Sequence, residues 1–187
     1  MDHLVLDLAA SDGSTAYFTI YSLGVMRDVG PGRVALLQVA TPNGVVDHCF
    51  GEPVGVAARM QKRLKTIGAQ RSSIPSVGID CPPEDATIVR STTSETCERW
   101  VVQSRDHVVS ASWSDPEPAL WLSAPAPAFH PTQDYFTTMI SYRRAKLVID
   151  GIPAAGRPFP HDLWQQRLGR PFSSCHAAFA ESAVESS

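Results

Sequence analysis

The sequence predicts a mainly β fold, an antiparallel β-barrel or two-layer sandwich with one amphipathic helix and one short helix. The alternative is an α+β sheet with the longer helix packed on one face. Three observations lead to this. About nine or ten short runs alternate apolar and polar residues, the period of half-buried strands. Turn-forming residues separate the runs, drawn from 12 Gly and 15 Pro among 187 residues. Only one long stretch has a helical period.

Leu4, Leu6 and Leu8 alternate with His3, Val5 and Asp7, and after Asp12-Gly13 the pattern resumes as Ala16, Phe18 and Ile20 against Tyr17, Thr19 and Tyr21. Asp-Gly supplies the positive φ angles of a hairpin turn. A second hairpin follows, with Arg33 to Ala40 and Val45 to Phe50 joined at Pro42-Asn43-Gly44. Between Gly55 and Gly68 the period changes. Val56, Met60, Leu64 and Ile67 fall on one face and Arg59, Lys62, Arg63 and Lys65 on the other, an amphipathic helix whose basic face is expected to be solvated. Pro53 marks its entry, and Gly68 is placed to end it in the left-handed conformation.

Residues 69–85, with Pro75 and Pro82-Pro83, read as a surface connection inside one domain that covers residues 1–187. Period two then returns in Ala86 to Thr92, Arg99 to Ser104 and Val108 to Trp113. A turn at Arg105-Asp106-His107 can pair the last two, placing Trp100 and Trp113 where large aromatics stabilise cross-strand contacts. Prolines 116, 118, 125, 127 and 131 confine Ala119 to Ser123 to an edge strand, because proline cannot donate to a ladder. Tyr135 to Tyr142 and Lys146 to Asp150 follow as separate strands, closed by Asp150-Gly151. Asp162 to Gln165 has capping-box spacing, with Asp162 as the cap of a short helix from Leu163 to Leu168, stopped by Gly169. Phe172 to Ala180 fits a strand or a helix, and residues 181–187 read as a frayed tail.

Composition narrows the function classes. The net charge is −3, with 43% hydrophobic and 19% charged residues, and no basic stripe suits nucleic acid. No run approaches a membrane span and no basic-then-apolar leader is present, so a cytoplasmic location without membrane contact is expected. Cysteines at 49, 81, 97 and 175 form no Cys-x-x-Cys pair; free thiols, no metal and no cofactor are the expectation. Gly30-Pro31-Gly32-Arg33-Val34-Ala35 spells a loose dinucleotide loop but leads into a strand, whereas a phosphate site needs a helix N-terminus.

His48-Cys49 cannot form a dyad, since neighbours on a strand face opposite ways. His48 is expected outward and Cys49 in the core. The best acid/base candidates are His130 and Asp134, a histidine and a carboxylate entering a strand from a proline-rich loop. Trp100, Trp113 and Tyr135 are candidate ligand contacts, joined by Arg157 and Arg170 in the matched pieces Gly156-Arg157-Pro158-Phe159 and Gly169-Arg170-Pro171-Phe172. The function expected is binding of a small apolar molecule within the β domain, with lyase, isomerase or hydratase activity at His130 and Asp134. The other class is a noncatalytic interaction domain using the basic helix or the proline-rich edge at 116–131.

Overall fold

A computed structural model describes residues 1–24, 29–70, 80–91, 96–125 and 133–185. Among the described residues the fold is mainly β, 61% strand with 2 helices. Its elements in order are β1 (Asp2–Ala9), β2 (Thr15–Leu23), β3 (Gly32–Thr41), β4 (Gly44–Glu52), α1 (Val54–Gln70), β5 (Pro83–Arg90), β6 (Cys97–Ser104), β7 (Val108–Pro116), β8 (Leu120–Ala124), β9 (Gln133–Ile149), β10 (Ile152–Pro153), α2 (Asp162–Leu168) and β11 (His176–Glu185).

All 11 strands belong to one sheet that curves in a ring. Three hairpins supply most of the wall: β1 with β2, β3 with β4, and β6 with β7. Strand β9 closes it, pairing with β11 through its first half and with β7 through its second, from Tyr142 to Ile149. It runs unbroken through Arg143, Arg144 and Ala145, where the sequence pattern divides it in two. Their side chains break the alternation, yet the backbone pairs on, because ladder bonds do not depend on side-chain polarity.

One pairing departs from the antiparallel expectation: β4 and β5 run parallel, with Phe50 opposite Glu84. The crossover between them contains α1, as a parallel pair requires. Val56, Ala57, Met60 and Leu64 bury one side of α1 against Val34, Leu36 and Cys49 on the outer face of the ring. Gly51 permits this approach, since a Cβ there would lie 2.6 Å from the Ala57 Cβ. Gly68 falls inside α1 and does not end it. A glycine within a helix costs only about 1 kcal/mol relative to alanine, so packing earlier in the helix overrides the stop signal.

Two other local expectations change. His161, not Asp162, caps α2: its Nδ1 accepts from the Trp164 backbone N–H at 3.5 Å. The Gly169 end is as expected, with φ of 63°. Strand β11 continues through Glu185, opposite Gln133, so residues 182–185 are paired where the sequence reads as frayed.

The ring's interior is filled by its own side chains. Leu4, Leu6, Phe18, Ile20, Ala35, Leu37, Phe50, Ile88, Trp100, Val102, Val109, Trp113 and Leu147 form one cluster, all buried. Trp113 on β7 reaches across to β1, where its Nε1 donates to the Val5 carbonyl at 2.8 Å. Residues expected to wall an apolar ligand thus occupy the space themselves.

One end of the interior carries a charge pair. Glu98, 6% exposed, accepts from Arg90 Nε and Nη2 at 2.6 and 2.9 Å and from Trp100 Nε1 at 2.8 Å. Arg90 reaches solvent, so losing its partner returns its charge to water. The Trp100 N–H has no such outlet. Glu98→Ala is therefore expected to lower the unfolding free energy by about 2 kcal/mol, chiefly for the orphaned donor and the lost ion pair. Urea denaturation checks this; a change below about 0.5 kcal/mol would show that the pair contributes nothing.

Candidate functional site

Three residues extend the inward phase of three strands by one further step. His48 lies two before Phe50 on β4, Glu84 two before Ala86 on β5, and His107 two before Val109, just ahead of β7. Each stands on the face of its buried neighbour, so all three gather at one mouth of the ring, opposite the Arg90–Glu98 end.

His48 Nδ1 is 2.9 Å from Glu84 Oε1 and donates to it, because a carboxylate can only accept. His107 Nδ1 is 2.9 Å from Asp150 Oδ2. The rings of His48 and His107 meet edge to face with centroids 4.3 Å apart, and His48 also stacks on Phe50. Each imidazole is thus held by its own carboxylate while the two rings touch. The hydrogen bond that His107 donates to Asp150 raises the pKa of His107, and that bond together with the one from the Val108 N–H lowers that of Asp150. The ion pair favours an imidazolium facing a carboxylate.

A second set of bonds fixes these groups. Ser104 Oγ donates to Glu84 Oε2 at 3.1 Å and accepts the backbone N–H of Asp106 and His107 at 3.3 and 3.1 Å. Asp150 is presented by the Asp150-Gly151 turn, with φ of 51° and 82°, the positive values that such a tight turn requires. Its other oxygen accepts the Val108 N–H at 2.8 Å. Glu84 and Ser104 are two-thirds or more withdrawn from solvent or intermediate in burial, and the mouth stays open to water. An open cleft of about 590 Å³ lies beside this mouth on the outer side of the sheet, lined by Glu52, Pro53, Asp85, Thr87, Gln103, Ser104 and others but by none of His48, Glu84, His107 and Asp150.

The residues singled out from sequence are not brought together. His130 lies outside the described residues. Asp134 and Tyr135 sit half-buried at the start of β9, opposite Val184 and Ala183, at the far end of that strand from Asp150. Trp100 and Trp113 are buried in the interior. Arg157 is exposed and pairs by its backbone with Ala9, while Arg170 is half-buried after α2. His48 and Cys49 do face opposite ways, with Cys49 buried under α1, but His48 points inward, not outward. Burial pushes the thiols of Cys49 and Cys175 up to about 12, so neither is a thiolate nucleophile near neutral pH.

Glu84, His107 and Asp150 were missed because each reads as connection or turn. A usable signal exists in the parity itself: stepping two residues outward from Phe50, Ala86 and Val109 lands on His48, Glu84 and His107.

No family model and no curated protein matches this chain. Among solved structures it is similar to the acetoacetate decarboxylase of Legionella pneumophila subsp. pneumophila str. Philadelphia 1, over 98% of this chain and 82% of that chain, at 9% sequence identity and a TM-score of 0.43.

Proposed function

We propose that the protein binds a small polar molecule at the open mouth of the ring and acts on it by acid–base chemistry of lyase, isomerase or hydratase type. The observation that carries this reading is the convergence of two carboxylate-held imidazoles, His48 with Glu84 and His107 with Asp150, in ring contact. Histidine exchanges protons near neutral pH, and a bonded carboxylate fixes which nitrogen carries the proton. Asp150 favours the protonated form of His107 and suits it to donate. The Nδ1–H of His48 is committed to Glu84, which leaves its Nε2 to accept. The filled interior favours a ligand seated at the rim over an apolar one enclosed within. His130 and Asp134 carry no part of this reading.

The test is backbone NMR of the labelled protein with a panel of small carboxylic acids and carbonyl compounds. Expected are shifts centred on His48, Glu84, Ser104 and His107, lost in His48→Ala and His107→Ala. Shifts that map elsewhere, or that survive both substitutions, overturn the assignment.

One observation favours the noncatalytic reading. Trp121, 64% exposed, stands on the edge strand β8 within the proline-rich segment, where a bare indole is an effective anchor for a protein partner. The basic face of α1 adds less, since Lys65 pairs with Asp80 at 2.9 Å and Arg59 donates to the Val29 carbonyl at 2.7 Å.

A further inference from the structure

We infer that His48, Glu84 and His107 form a binding site for a single divalent transition-metal ion of the zinc type, with a fourth position open to solvent. The site shares its residues with the acid–base reading and rests on it for what the ion would do, though not for the geometry.

One ligand atom from each of the three residues lies within 4.8 Å of the other two. Metal–ligand bonds of about 2.0–2.1 Å place tetrahedral donors roughly 3.3 Å apart, so an inward swing of about an ångström forms the site. His48 and Glu84 come from the paired strands β4 and β5 and His107 from the β6–β7 turn immediately before β7, so the sheet fixes two origins and the Ser104 and Asp150 bonds hold the third. His48 Nδ1 and Glu84 Oε1 are already 2.9 Å apart, bridged by a proton; an ion takes that proton's place. His107 has its Nδ1 bound to Asp150, so Nε2 is the nitrogen it has to offer.

The outer partners are of the kind metal ligands carry. A ligating histidine commonly donates its other N–H to a carboxylate, and a ligating carboxylate is itself hydrogen-bonded. Asp150 holds His107 in the first way, and Ser104 holds Glu84 in the second, through Oε2, leaving Oε1 turned to His48. Ser104 is in turn fixed by the Asp106 and His107 N–H groups. The same Ser104 hydroxyl therefore closes the β6–β7 turn and holds Glu84 Oε2.

Donor chemistry selects the ion. Two imidazoles and one carboxylate suit zinc, cobalt or nickel, whereas magnesium and calcium prefer oxygen alone. Three protein ligands with an open position is the pattern of catalytic zinc sites, not of structural ones, which are closed by four. The ion's bound water would then be the base at this mouth. Cysteine spacing is silent here because no ligand is a cysteine and the three residues come together only through strand pairing.

The experiment uses the full chain without a histidine tag, stripped with a chelator and titrated with Co²⁺, then with Zn²⁺ as competitor. Expected is a visible absorption spectrum of four-coordinate cobalt that saturates at one ion per chain and is erased by zinc. His48→Ala and His107→Ala each abolish it, Asp150→Asn weakens affinity ten- to a hundredfold, and His161→Ala leaves it unchanged. Circular dichroism of each variant, with His48→Gln as the milder replacement, separates loss of ligand from loss of fold. No cobalt spectrum in the wild type, or one that persists in His48→Ala and His107→Ala, overturns the metal site. Ligand shifts at the mouth with no cobalt spectrum would leave the acid–base reading standing alone; a cobalt spectrum without such shifts would leave only the metal site.

Discussion

Trp113→Ala is expected to cost about 4 kcal/mol of stability, the largest effect of any single substitution considered, because it hollows out the middle of the ring. The indole is 0% exposed and spans the interior from β7 to the Val5 carbonyl of β1. Its neighbours belong to strands that are hydrogen-bonded on both sides and cannot collapse inward, so most of the vacated volume stays empty. The deletion also leaves the Val5 carbonyl without its indole donor. For a domain whose total stability is typically about 5–15 kcal/mol, this is a large fraction. Trp113→Phe keeps an aromatic ring and loses the N–H, and should cost about half as much. Urea denaturation with an unchanged slope measures both. A loss under about 1 kcal/mol for Trp113→Ala would mean that the interior is not held open by its walls.

A second large effect is expected on acidification, centred on His176. This imidazole is 5% exposed, enclosed by Phe172, Trp164 and His161, and its Nδ1 has no hydrogen-bond partner among the described residues. Burial lowers its pKa to about 3, aided by the neighbouring His3 and His161. The unfolded chain takes up a proton near pH 6.5, while the folded chain refuses it until about 3. The contribution of His176 is therefore fully present above about pH 6.5 and is lost as pH falls from there. At about 1.36 kcal/mol per pH unit, the wild type should lose about 2 kcal/mol between pH 7.5 and 5.0 that His176→Leu does not lose.

Asp7, on the same outer face of β1, acts in the opposite sense. Burial raises its carboxyl to about 6, so its protonation on acidification favours the folded form. It does so in wild type and variant alike, so the difference between their pH–stability curves removes Asp7 and reports His176 together with its coupling to His3 and His161. Parallel curves would show that His176 is as easily protonated folded as unfolded.

The strands were legible in sequence because each carries its own alternation. Leu4, Leu6 and Leu8, or Trp100 and Val102, need no knowledge of the rest of the chain to be placed on one face, and Asp12-Gly13 and Asp150-Gly151 announce their turns. What strands pair with is another matter. That β4 lies beside β5 in parallel, or that β9 touches both β7 and β11, follows from long-range ladder formation that no local pattern encodes.

The same divide explains the site. His130 and Asp134 stood out because they are close in sequence, whereas His48, Glu84, His107 and Asp150 are spread over about a hundred residues and meet only in the closed sheet. In sequence the neighbour of His48 is Cys49, which faces away, whereas its partner Glu84 is 36 residues on. Histidine is an uncommon cap and the preferred Asp162 stands next to it, so local sequence points to the wrong residue of the pair.

The closure of the ring bears on how the chain must find its shape. The seam between β1 and β11 joins Leu4 to Ala177, a contact between residues almost the whole chain apart. Hairpins such as β1–β2 and β6–β7 can form on their own, but this seam cannot align until nearly every strand between its two sides is in place. Such distant pairing makes for slow folding, paid in loop entropy before any contact rewards it. Until it closes, β1 and β11 each present an open row of backbone donors and acceptors. The finished sheet gains by its last step what it lacked throughout assembly: a wall in which those two strands no longer offer an edge to another molecule.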